Sequence, residues 1–119
     1  MVAPLAFPEV APGTRGETLL DSLVEVAMVE ETDRQVDNAR VRVTRHRLIP
    51  GAHTGFHRHD YDYVVVPITD ARMRIVEGGR ESAADLARGV AYFRAAGVEH
   101  DVFNGGDREL VFVEVELVG

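Results

Sequence analysis

From Arg40 onward the chain alternates between apolar and polar residues. Arg40 to Ile49 sets Val41 and Val43 between arginines, and Arg72 to Val76 puts Met73 and Ile75 on one face. Glu109 to Val118 carries Val111, Val113, Val115 and Leu117 on one face and Glu114 and Glu116 on the other. A period of two belongs to the β-strand, whose successive side chains point to opposite faces. Val64 to Ile68 is a continuous apolar run and reads as a buried strand ending near Pro67, Thr69 and Asp70. Glu81 to Leu86 and Val90 to Phe93 read as shorter strands. Turn dipeptides fall between them at Asp37-Asn38, Gly78-Gly79, Arg88-Gly89 and Gly105-Gly106. Many short strands separated by turn chemistry predict an all-β sandwich or barrel.

The first 40 residues are less regular. Residues 1–16 hold Pro4, Pro8, Pro12, Gly13 and Gly16 and are expected to form an irregular arm. In residues 17–31, Leu19, Leu20, Leu23, Val24, Ala27 and Met28 fit a helical stripe, while Val24, Val26 and Met28 alternate as a strand would. A strand from about Val24 is preferred, so that 17–119 makes one domain. No repeat, low-complexity segment or internal boundary is visible.

Composition narrows the functions. At 119 residues and 45% hydrophobic, the chain suits one soluble domain with a modest core. A net charge of −7 offers no electrostatic footprint for nucleic acid or an anionic membrane. No apolar run approaches the ~20 residues of a membrane span. Met1 to Pro12 lacks the early basic residues of a secretion signal. There is no cysteine, which excludes disulfides and thiolate metal sites and fits a cytoplasmic protein. Both serines, Ser22 and Ser82, lack the glycine-rich elbow of a nucleophile.

The candidate chemistry sits in Gly51-Ala52-His53-Thr54-Gly55-Phe56-His57-Arg58-His59. On a helix, His57 and His59 would point about 200° apart; on a strand they share a face within reach of one metal ion. Pro50-Gly51 upstream and Tyr61 to Val66 downstream favour the strand. His100 is the third candidate. Three neutral imidazoles suit a divalent transition ion; without one they would form a hydrogen-bonded polar pocket. Tyr63 has the parity to face inward with His57 and His59, as a packed ring or as a ligand and acid–base group. His46 and His53 are expected at the surface or rim, and Glu99 and Asp101 in solvent. Asn104 is expected to hold the loop after His100, and Gly51, Gly89 and Gly97 to serve turns. Phe56, Tyr61, Met73, Tyr92 and Phe103 are the expected pocket-shaping side chains.

These residues resemble the two motifs of the cupin family. The first, G-x5-H-x-H followed by a glutamate, is matched by Gly51, His57 and His59. The second, G-x5-P-x-G-x2-H-x3-N, is matched by Gly89, Gly97, His100 and Asn104, with Ala95 in place of proline. Asp60 to Pro67 and Tyr92 to His100 further resemble small bacterial cupins linked to β-alanine degradation. The resemblance implies an antiparallel jelly-roll barrel whose motifs meet inside it around one divalent metal (iron, manganese, nickel or zinc). Where the motif has its glutamate, three or four residues after His59, this chain has Tyr63 or Val64, and Tyr63 is the candidate fourth ligand beside His57, His59 and His100. The implied function is a metal-dependent enzyme of lyase, isomerase or dioxygenase type acting on a small carboxylate or carbonyl compound. The alternative is a metal-free barrel that binds or senses a small molecule. A homodimer is expected, since a small barrel leaves edge strands to cover.

Overall fold

The computed structural model describes residues 31–119. The arm expected over 1–16 and the strand expected from Val24 lie outside the described residues. Those described form nine strands and no helix: β1 (Glu31–Asp37), β2 (Val41–Leu48), β3 (His57–Arg58), β4 (Tyr63–Pro67), β5 (Ala71–Glu77), β6 (Arg80–Leu86), β7 (Tyr92–Arg94), β8 (Glu99–Asn104) and β9 (Leu110–Leu117). They make a five-stranded sheet in the order β1-β2-β9-β4-β7 and a four-stranded sheet in the order β3-β8-β5-β6. Every pairing is antiparallel. This is the expected antiparallel jelly roll.

The alternating segments became β2, β5 and β9, each within one residue of the expected limits, and their turns follow from local chemistry. Gly78 and Gly79 both take positive φ, at 59° and 76°, as the type I′ two-residue hairpin requires at both central positions. At the β1–β2 turn the Asn38 side-chain oxygen accepts from the amides of Arg40 and Val41. Gly51, Gly89 and Gly97 hold positive φ, as expected of turn glycines.

The core lies between the sheets. Leu48, Val65, Met73, Leu86, Val102, Leu110 and Phe112 are buried in one cluster. Fully burying each such side chain stabilises the fold by about 1.5–3 kcal/mol. The core fixes which face of β9 turns inward. Leu110 and Phe112 point in, so Glu114, in phase with them, points in as well.

The opposite parity faces outward on the larger sheet. Val36 pairs with Val43, Val43 with Val115, Val115 with Val64, and Val64 with Phe93. One apolar row thus crosses all five strands. At its ends Val36 and Phe93 are 40% and 57% exposed.

Candidate metal centre

The two histidine motifs are neighbours in one ladder. The chain from Gly51 to His57 runs antiparallel along β8. Asn104 donates its amide to the Ala52 carbonyl (2.9 Å), and Gly51 donates to the Asn104 carbonyl (3.2 Å). His53 bridges Phe103, Thr54 donates its amide to the Val102 carbonyl (2.9 Å), and His57 is paired with His100. His59 lies just beyond β3, its amide on the Val98 carbonyl and its carbonyl accepting from the Gly97 amide, each at 2.8 Å. Gly97 allows this close turn through a φ of 100°.

The ladder brings three imidazoles together. One nitrogen from each of His57, His59 and His100 lies within 4.8 Å of the others. The Nε2 atoms of His57 and His59 are 2.9 Å apart. His57 Nδ1 is 2.8 Å from the Gly55 carbonyl, which can only accept, so the ring proton sits on Nδ1 and Nε2 keeps its lone pair. His100 is 4% exposed, and both its ring nitrogens are buried without a hydrogen-bond partner among the described residues. Burial, with His57 and His59 adding to it, pushes the His100 imidazole down to about 4. Burial lowers His59 as well, partly opposed by Glu114. At neutral pH these two rings are therefore uncharged, the form that ligates a metal.

Glu114, from β9, is the carboxylate of the site. Its Oε1 is 3.0 Å from His46 Nε2 and its Oε2 is 3.8 Å from His59 Nε2. Burial alone would raise it, but the His46 hydrogen bond and the nearby imidazoles leave its carboxyl below the usual range, hence ionised. His46 itself is not at the surface as expected. Thr44, His46 and Leu48 form the inner parity of β2, and the His46 ring stacks on Phe112 at 4.9 Å. Sequence reasoning missed this pair, although bulky Phe112 on the parity of Glu114 was a signal for which face of β9 turns in.

Tyr63 lies in the site with its ring stacked on His59 at 4.0 Å. Its hydroxyl is buried and has no hydrogen-bond partner among the described residues. Burial, then the Glu114 charge, pushes the phenol well above its ordinary value, so it stays protonated. Arg94 was also missed. It pairs with Tyr63 across β7 and β4 and lines the cavity with Tyr63, Tyr92, His100 and Glu114. Its Nη2 is 3.3 Å from both carboxylate oxygens of Glu77.

The expected pocket wall is partly corrected. Met73 and Tyr92 do line the cavity, with the Tyr92 hydroxyl 4.0 Å from Met73 Sδ. Phe56 is instead 68% exposed, because it lies on the outward side of the turn into β3. Phe103 has the parity opposite to Val102 and Asn104, so it faces out, between the His53 ring and the Arg74 guanidinium. Tyr61, also expected to shape the pocket, is 37% exposed beside Arg42 and does not line the cavity, while His53 is half-buried against Asp101 and the outward Phe103 ring. Asp101 is not solvated, because its carboxylate is held by His53 and by the Gly55 amide. Glu99 is exposed and paired with Arg58. Asn104 holds its loop through side-chain bonds to the carbonyls of Leu48 (2.9 Å) and Arg108 (2.6 Å) and from the amide of Gly106 (3.0 Å).

No protein-family model matches the chain. It is 54% identical over 83 residues to the beta-alanine degradation protein BauB of Pseudomonas aeruginosa, covering 70% of this chain and 87% of that one. A cupin domain from Bordetella pertussis, known from its crystal structure, is 46% identical, with a TM-score of 0.73 over 75% of this chain and 93% of that one. A cupin-family protein from Methanocaldococcus jannaschii with a double-stranded β-helix fold is only 14% identical. It has a TM-score of 0.64, covers 76% of this chain and 81% of that one, and so shares the fold alone. With both motifs meeting in the barrel and these identities running over most of each relative, the chain belongs to the cupin family.

Proposed function

We propose that this protein holds one divalent transition metal (iron, manganese, nickel or zinc) on His57, His59 and His100 and acts on a small organic carboxylate or carbonyl compound. The observation that carries the reading is His100. Leaving both nitrogens of a buried imidazole unpaired costs several kcal/mol, roughly 1–3 for each group, and a metal relieves that penalty at the ligating atom. The His57 tautomer fits the same reading, since Gly55 takes its Nδ1 proton and leaves Nε2 to donate its lone pair. Bound there, the ion would supply Lewis-acid polarisation of a substrate oxygen.

The chain's own groups would divide the remaining work. Glu114 supplies the negative charge that the first motif lacks at Tyr63, and His46 keeps it oriented. Tyr63, expected as a fourth ligand and catalytic group, is better suited as a neutral donor to a bound ligand, because its proton is strongly held. Val65, Met73, Val102, Phe112 and Tyr92 would supply the apolar wall of the cavity. The name of BauB ties that protein to degradation of β-alanine, a small carboxylate, and we extend that substrate class to this chain. The lack of cysteine fits a cytoplasmic setting.

The second reading, a non-catalytic small-molecule binder without metal, is favoured by one observation, the tyrosine at the motif's glutamate position. Metal analysis of protein purified without a histidine tag separates the two. Near-stoichiometric metal, lost in His57→Ala and in His100→Ala, supports the metal centre. Full occupancy in both variants, or none in the parent even after reconstitution, refutes it.

A further inference from the structure

We propose that Arg94 is the carboxylate anchor of this barrel, and that Glu77 holds its guanidinium in the free protein until an incoming carboxylate displaces it. The proposal rests on the metal reading above and says which end of the ligand goes where: the acid group on Arg94, the reacting end toward the three histidines.

The argument starts from register. Arg42, Glu116, Tyr63 and Arg94 form one inward row across β2, β9, β4 and β7. Two cations therefore stand at the metal end of the larger sheet, and their surroundings separate them. Arg42 lies between the carboxylates of Asp37 (3.7 Å) and Glu116 (3.9 Å) and over the Tyr61 ring, and it does not line the cavity. Arg94 does line it, together with His100, Glu114 and Tyr63. Its positive charge is felt by His59, His100 and Tyr63 alike, each of which it makes more acidic.

The guanidinium is also lightly held. Its side-chain hydrogen bonds among the described residues are the two from Nη2 to Glu77, both long at 3.3 Å. Nε and Nη1 are left without a protein acceptor there, although arginine binds carboxylates best through two parallel N–H groups. Both partners reach solvent, at 29% and 44% exposure, and an exposed ion pair of this kind contributes little. Glu77 sits opposite His100 on β5, so the pair ties the two sheets together at the level of the histidines. A carboxylate that engages Arg94 with both oxygens gains the fork geometry that Glu77 does not use. It loses only a screened contact and leaves Glu77 in water.

The test is an NMR titration of the zinc-loaded and metal-free protein with acetate, and with acetamide as its uncharged isostere. Acetate is expected to shift the Arg94 Nε resonance and the amides of β7, and acetamide is not. Arg94→Gln should weaken acetate tenfold or more while zinc content stays that of the parent, and Arg94→Lys should recover part of the loss. Glu77→Gln should tighten acetate severalfold by releasing the guanidinium, and Arg42→Gln should leave it unchanged. Parent-like acetate affinity in Arg94→Gln overturns the proposal, as does weaker binding in Glu77→Gln. If zinc does not bind the parent, the metal reading fails separately, and the Arg94 comparison is then read from the metal-free titrations.

Discussion

Acid should destabilise the metal-free protein through His100. The ring is 4% exposed, has no hydrogen-bond partner among the described residues, and is pushed from the ordinary 6.5 down to about 4. The folded state therefore resists protonation where the unfolded chain accepts it. Below 6.5 the unfolded state binds more protons, so stability must fall as pH drops toward 4 and level off beneath it. The full gap corresponds to about 3 kcal/mol at 1.36 kcal/mol per pH step, of which about 2 kcal/mol is lost between pH 7 and pH 5. His59, also lowered by burial, acts in the same sense. Glu114, held below the usual carboxylate range, stays ionised across that window and loses its contribution only at lower pH. Urea unfolding of chelator-treated protein at pH 7, 6 and 5 measures the slope, and in thermal melts it should appear as a drop on the order of 10 °C. His100→Asn removes the titrating ring and should flatten the slope by most of this amount. A slope unchanged in His100→Asn would show that the acid sensitivity resides elsewhere and that the burial argument for His100 is mistaken.

Three other outcomes follow from particular contacts. Tyr63→Phe removes an unpaired buried hydroxyl and should leave the metal-free protein equally stable or up to about 1 kcal/mol more so; a loss above that in urea melts means the hydroxyl has a partner. In the metal-loaded form the same variant should keep its metal affinity, and a marked fall in a chelator competition would restore Tyr63 as a ligand. Asn104→Ala loses three side-chain hydrogen bonds and should cost about 3 kcal/mol by urea unfolding, and a cost under about 1 kcal/mol would contradict the tether. The apolar row from Val36 to Phe93 is the face on which we expect the homodimer, so light scattering should give about twice 13.1 kDa and Val115→Glu should return the monomer mass; a monomeric parent at micromolar concentration rules the dimer out.

The strands and the three histidines were readable because each rests on a short-range rule. Alternation at 40–49, 72–76 and 109–118 names strands without tertiary information, and the two motif spacings identify His57, His59 and His100. Parity is silent on which face turns inward. The valines of β9 suggested an apolar side, but Leu110 and Phe112 fill the core and carry Glu114 in with them. The same silence hid His46 beneath Phe112 and set Phe103 on the wrong side of β8. β1 and β8 were hard to see for another reason. β1 reads Glu-Thr-Asp-Arg-Gln-Val-Asp with little apolar content, and β8 turns His100 and Asn104 inward, inverting the usual pattern. Arg94 was invisible because its place in the cavity depends on the pairing of β7 with β4 and not on any spacing in the sequence.

The ladder between residues 51–57 and β8 has a consequence for how the metal would be sensed through the rest of the molecule. The first motif is fastened to the second along one seam, and β3 at its end has only two residues and a single neighbouring strand. Beyond β3 this end of the seam is closed by the two backbone hydrogen bonds of His59 with Val98 and Gly97. Metal binding would add a cross-link at that end, so amide hydrogen exchange should slow most at Thr54, His57 and His59 and least in the five-stranded sheet. Were a bound metal then chelated, protection should be lost first at His57 and His59 and last at the far end, where Asn104 holds Ala52.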